Sequence, residues 1–149
     1  MIGREREIAE ASGFLADAAT RGGGLVFAGV PGIGKTTIWS AALDQAAGRG
    51  FRALVARPAE AEVELAFSVL SDLLGSLEDP AFTALPGAQR AALENALRRG
   101  DTADATFDPA AVGLATLGVL RQLSVSGPVL VAIDDLQWGV TVVIPTSVR

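Results

Sequence analysis

The sequence predicts an α/β domain in which a mostly parallel sheet is flanked by helices. Three observations point there. The runs Leu25-Val26-Phe27-Ala28 and Val129-Leu130-Val131-Ala132-Ile133 are wholly apolar. They lack the alternation of a half-solvated strand and read as strands covered on both faces. A third run, Phe51-Arg52-Ala53-Leu54-Val55-Ala56, follows the first after a glycine-rich loop and a helical stretch. Strand, helix and strand in that order form a βαβ unit, which favours parallel pairing.

The elements follow in chain order. Residues 5–19 form a first helix, because Ile8, Ala11, Leu15 and Ala18 recur at helical spacing. Arg21-Gly22-Gly23-Gly24 ends it, glycine serving as cap and turn. The strand over 25–28 comes next, then a helix over 35–47 that closes at Gly48 and Gly50, then the strand over 51–56. Residues 62–77 place Val63, Phe67, Leu70, Leu73, Leu74 and Leu77 along one helical stripe. That stripe is core or interdomain surface. Pro80 and Pro86 punctuate the passage to a helix over 88–99, ended by Gly100. Asp108-Pro109 is a start signal, an acidic cap with proline at the first helical position, and its helix runs to 123. Ser126-Gly127-Pro128 turns the chain into the strand over 129–133, which ends at Asp134-Asp135.

Composition removes several chemistries. The chain has 149 residues, half of them apolar and 19% charged, which suits one domain with a sizeable core. Cysteine and histidine are both absent. Disulfides, thiolate or imidazole metal sites, thiol catalysis and histidine-based triads are excluded together. The net charge is -5, and the basic residues are scattered apart from Arg98-Arg99. That is not the footprint of a nucleic-acid binder. The N-terminus is charged at once, unlike a secretory signal, and no apolar stretch is long enough to span a bilayer. The expectation is a soluble cytoplasmic chain that touches neither membrane nor nucleic acid directly.

The chemistry is concentrated in Gly29-Val30-Pro31-Gly32-Ile33-Gly34-Lys35-Thr36, which satisfies G-x-x-x-x-G-K-[ST], the Walker A pattern, with a strand before it and a helix after it. Glycines admit backbone conformations closed to other residues, so successive N–H groups turn inward and form an anion nest. The loop runs into a helix N-terminus, whose unpaired N–H groups and dipole favour phosphate. Lys35 is the only lysine in the chain and is placed to reach the β- and γ-phosphates. The Thr36 hydroxyl is placed to ligate Mg²⁺, and Thr37 to touch the α-phosphate. A glycine-rich turn without a ligand is the bland alternative, and the flanking strand and helix argue against it.

The second element is the strand over 129–133 followed by two carboxylates. In a phosphate-loop NTPase a neighbouring strand delivers an Asp to the magnesium from its C-terminal end. Asp134 fits that role as the Walker B acid, and Asp135, one residue on, is placed to polarise the attacking water. Two acids after a strand also make a turn or a helix cap. Their pairing with the upstream loop favours the metal site. Trp138 reads as a packing residue before a functional one.

Taken with Gly3-Arg4-Glu5-Arg6-Glu7, the segment Glu64-Leu65-Ala66-Phe67 leading to Leu73-Leu74, and Ile133-Asp134-Asp135-Leu136-Gln137-Trp138, these motifs resemble the N-terminal ATPase module of the large ATP-binding LuxR-type transcriptional regulators, in the STAND branch of AAA-like NTPases. The resemblance covers nearly all of the chain up to Trp138. It implies a doubly wound phosphate-loop NTPase fold, ATP and Mg²⁺ as cofactors, and a slow ATP-driven switch in signal transduction or transcription. It also implies that Gly3, Arg4 and Glu5 lie near the adenine; the same box reads equally as a charged first helical turn. The preference for ATP comes from the resemblance alone.

After Trp138 the sequence departs from that pattern. The regulators it resembles continue with a further helix and a strand carrying a polar sensor residue, then a lid and a DNA-binding helix-turn-helix. Here Gly139-Val140-Thr141-Val142-Val143-Ile144-Pro145 reads as a strand or an irregular tail. The expected division is an NTPase domain over 1–138 and an atypical tail over 139–149, as in a truncated or frame-shifted product. The residues leave open whether 140–144 supplies a strand, and a short parallel sheet with an open edge invites self-association. Turnover is open as well: the chain is an ATPase if competent, or a nucleotide-binding fragment acting at most as an interaction module. A small-molecule kinase sharing the loop is disfavoured, because no Arg-rich lid follows.

Overall fold

The computed structural model describes residues 4–28, 33–57, 68–75, 77, 80–98, 108–134 and 138–144. The first half of the chain is α1 (Glu5–Arg21), β1 (Gly23–Ala28), α2 (Lys35–Gly48) and β2 (Arg52–Ala56). The second half is α3 (Ser68–Leu74), α4 (Pro80–Thr83), α5 (Gly87–Arg98), α6 (Pro109–Leu123), β3 (Val129–Asp134) and β4 (Trp138–Ile144). Of the expected helix over 62–77 only Ser68–Leu74 is helical among the described residues, as α3; Gly75 and Leu77 lie past its end, and residues 58–67 lie outside the described residues. Gly23 and Gly24, read as part of a turn, open β1 instead. Pro80 does more than punctuate, opening the single turn of α4. The Asp108 signal holds: its Oδ1 accepts from the amide of Ala110 at 3.0 Å, with Pro109 as the first helical residue.

The sheet is α/β in character but not paired as expected. Its strand order is β1-β4-β3-β2. Only β2 and β3 pair in parallel, while β4 runs antiparallel to both β1 and β3. So β1, β2 and β3 share one direction, and the segment that read as a strand or tail lies between two of them. The connection explains the direction. Only residues 135–137 separate β3 from β4, and a parallel return needs a crossover of a dozen residues or more. Val140, Thr141, Val142, Val143 and Ile144 are β-branched, which suits an inner strand.

That insertion corrects the reading of 25–28 as a central strand covered on both faces. β1 lies at the sheet edge and is half-buried at best, with Val26 56% exposed. Two apolar clusters show why. On one face Leu15 and Ala18 of α1 meet Ala46 of α2, Phe51 and Leu130. On the other, Leu74, Leu93, Val112, Val119 and Leu123 from α3, α5 and α6 pack on Leu54 and Val129. Leu130 and Val129 thus point to opposite sides of β3, as pleating requires. The second helical layer gathers over β2 and β3, so one face of β1 has no helix over it among the described residues. No described helix is long and apolar enough to cross a membrane.

Candidate functional site

Four residues of the glycine-rich loop, Gly29, Val30, Pro31 and Gly32, lie outside the described residues, as does Asp135. The loop's exit is described. Gly34 takes φ +92° and ψ 22°, the left-handed region, and serves as N-cap of α2. A side chain there is strained whatever the space around it, so glycine is the residue the backbone needs. Lys35 is the first residue of α2, followed by the exposed Thr36 and Thr37.

This N-terminus differs from that of α6. No side chain caps it and its first turn carries no acid, whereas Asp108 caps α6. The helix is anchored from behind by the buried Ile38, Trp39, Ala42 and Ala46. Its first amides are therefore presented by a packed element whose own first turn carries no acid. That arrangement fits an anion.

Arg4 is brought to the same place. Its Nη2 donates to the carbonyl oxygen of Ile33, and a Cβ on Gly34 would lie 3.8 Å from its Nε. Nη1 pairs with Glu7 Oε1 at 3.1 Å. Glu7 is held below its ordinary value chiefly by a backbone hydrogen bond; desolvation opposes this, and the Arg4 guanidinium adds to the lowering. The charged box at the N-terminus therefore does two things at once: it starts α1 and it braces the loop exit. Farther along, Arg49 of the turn after α2 donates to Ser12 O at 2.7 Å and to Ser12 Oγ at 2.6 Å, which fixes α1 against α2.

Asp134 is the last residue of β3 and is half-buried. It pairs with Gly139 across the hairpin, while Ala28, the residue before the loop, pairs with Trp138. The ends of β1 and β3 that lead to the loop and to the carboxylates thus lie on one edge of the sheet, joined through the start of β4. Ligands of open α/β sheets bind outside the carboxyl ends of the strands. Among the described residues no cluster of three or more His, Cys, Asp or Glu is present. Thr36 offers a hydroxyl at the start of α2 and Asp134 a carboxylate at the end of β3, oxygen donors of the kind that fit a Mg²⁺ keeping most of its waters and taking other ligands from phosphates.

A cleft of about 440 Å³ continues from this edge between α1 and α2, lined by Ile8, Thr36, Thr37, Ser40, Ala41 and Asp44. The sequence reading missed Ile8, Ser40 and Asp44. The signal was present: Thr36, Ser40 and Asp44 recur every fourth residue, a polar stripe on α2 beside small alanines.

The family model for the AAA ATPase domain matches residues 1–140. No curated protein and no solved structure matches the chain.

Proposed function

The chain belongs to the AAA ATPase domain family, and from that membership we propose that it binds Mg-ATP at the loop from Gly29 to Thr36 and hydrolyses it slowly as a regulatory module. The observation that carries this function is the start of α2: an uncapped, acid-free N-terminus after a left-handed Gly34, with Lys35 and Thr36 in its first turn. Lys35 holds the β- and γ-phosphates, Thr36 and Asp134 hold the metal, Thr37 touches the α-phosphate, and Asp135 activates water. Arg4 fixes the loop exit next to the nucleotide. Mg²⁺ supplies charge neutralisation on the phosphates, and the rest of catalysis is positioning and electrostatics.

The regulatory part of the proposal rests on the three flanking boxes and their likeness to STAND-type modules of LuxR-family regulators. In that setting the module is cytoplasmic, its nucleotide state governs self-association, and it contacts no DNA itself. The exposed edge of β1 supports the self-association.

One observation favours a second reading, binding without turnover. In the regulators that the sequence resembles, a strand delivers a polar sensor residue to the phosphates. Here the strand between β1 and β3 is antiparallel, so it reaches that edge with Trp138 and Gly139. Titration of a fluorescent ATP analogue with Mg²⁺, followed by a phosphate-release assay, separates the two. Binding with release that Lys35→Ala abolishes supports the ATPase. Saturable binding without release selects the binding module, and no binding by the parent chain sinks both.

A further inference from the structure

Arg57 is the first residue after β2, and its guanidinium carbon lies 4.7 Å from the centroid of the Trp39 ring. Trp39 sits on α2 one turn after Lys35, so the two share one side of the helix. The ring is 1% exposed, and its Nε1 is buried with no hydrogen-bond partner among the described residues. Among the described residues it is a platform held by packing and not by a hydrogen bond. Arg57 is exposed and takes no part in the Arg4–Glu7 and Arg6–Glu10 ion pairs.

The register of the sheet places this pair. Ala56 of β2 is level with Ile133 of β3. The next residues, Arg57 and Asp134, therefore stand level at the carboxyl edge, on chains about 5 Å apart. An arginine beside a carboxylate ordinarily pairs with it, yet this fork lies on an aromatic face. The guanidinium thus rests against α2 one turn beyond Lys35. A cation–π contact at an exposed site is a weak hold, and a bidentate arginine–phosphate pair is a strong one.

We propose that Arg57 is a sensor of the terminal phosphate: it rests on Trp39 when the site holds a nucleoside diphosphate and moves to the γ-phosphate when it holds a triphosphate. This role rests on the nucleotide site proposed above. It distinguishes the two nucleotides through position and charge, because only the triphosphate brings a further phosphoryl group, with one more negative charge, to that edge. It also couples nucleotide state to α2 and to the end of β2, since the guanidinium leaves one to serve the other. Lysine is a poor substitute, lacking the planar fork that both the ring and the phosphate use.

The test measures affinity for Mg-ATP and Mg-ADP, with tryptophan emission, on the full chain and on Arg57→Ala, Arg57→Lys and Trp39→Phe. In the parent, emission changes on adding ATP and not on adding ADP, and Trp39→Phe loses that change. Arg57→Ala weakens ATP binding about tenfold and leaves ADP binding unchanged, with Arg57→Lys in between. Equal weakening for both nucleotides, or none for ATP, overturns the sensor role while the nucleotide site stands. If Arg57→Ala does not fold, Arg57→Lys carries the same comparison. A parent that binds neither nucleotide overturns the site and the sensor together.

Discussion

The guanidinium of Arg4 donates a hydrogen bond to the carbonyl oxygen of Ile33, across 29 positions of sequence. The first helix therefore begins on the exit of the glycine-rich loop. Arg4→Ala should weaken ATP binding several-fold by freeing that exit, while costing at most about 1 kcal/mol of stability, because the side chain is partly solvated. Calorimetric titration beside thermal melting checks both. Unchanged affinity with lowered melting would reduce Arg4 to a helix-starting residue.

Glu7 adds a pH dependence to the same corner. Its carboxyl is lowered from the ordinary value of 4.5 in the folded chain. The folded state thus holds the charged form more tightly than the unfolded state does. The resulting stability is complete above that ordinary value and is lost as the pH falls through the lowered one. The parent should exceed Glu7→Gln in urea midpoint at neutral pH, and the gap should close in acid. A gap that persists at low pH would assign the difference to packing.

Gly34 is the residue whose backbone a substitution cannot follow. With φ at +92°, Gly34→Ala forces strain of about 1–3 kcal/mol or a reshaped start of α2. Loss of nucleotide binding should exceed any loss of stability, since the loop relaxes where the helix does not. Asp108→Ala is the contrasting variant. It removes the cap of α6, should cost about 1 kcal/mol, and should leave nucleotide binding untouched.

β4 has a structural prediction of its own. Val142 is level with Gly24 on one side and Val131 on the other, so Val142→Pro removes a ladder hydrogen bond from an inner strand. At least about 2 kcal/mol of stability should be lost, the cost of a buried group without its partner. Urea unfolding measures it. An unchanged midpoint would mean that β4 contributes nothing to the sheet.

Much of this was legible in the residues, and the part that was not has a physical cause. Local signals located α1, α2, α5, α6, β2 and β3, because caps, glycines and helical periodicity act over a few positions. Asp108-Pro109 is the clearest case. The place of β1 in the sheet was misread, because an apolar run looks the same at an edge as at a centre. Whether Val140 to Ile144 would join the sheet depended on a partner more than a hundred residues away at β1. Its direction was nonetheless implied by the three-residue connection after Asp134. At the proposed site, the loop pattern named Lys35, Thr36 and Thr37 and a resemblance named Arg4, and their roles stand as proposed. Ile8, Ser40 and Asp44 were missed, because a cleft between two helices belongs to their packing and to neither sequence. Asp135 and the loop from Gly29 to Gly32 lie outside the described residues, so their roles stand as proposed.

The most direct measurement is titration of ATP in the presence of Mg²⁺ against the parent chain and Lys35→Ala, both shown to be folded by circular dichroism. Lys35 opens a helix with no other charge in its first turn, so its ammonium supplies the attraction that backbone amides alone do not. Saturable binding by the parent, weakened at least about tenfold by Lys35→Ala, is the expected result. Equal binding by the two folded chains, or none by the parent, would contradict a nucleotide site at the start of α2.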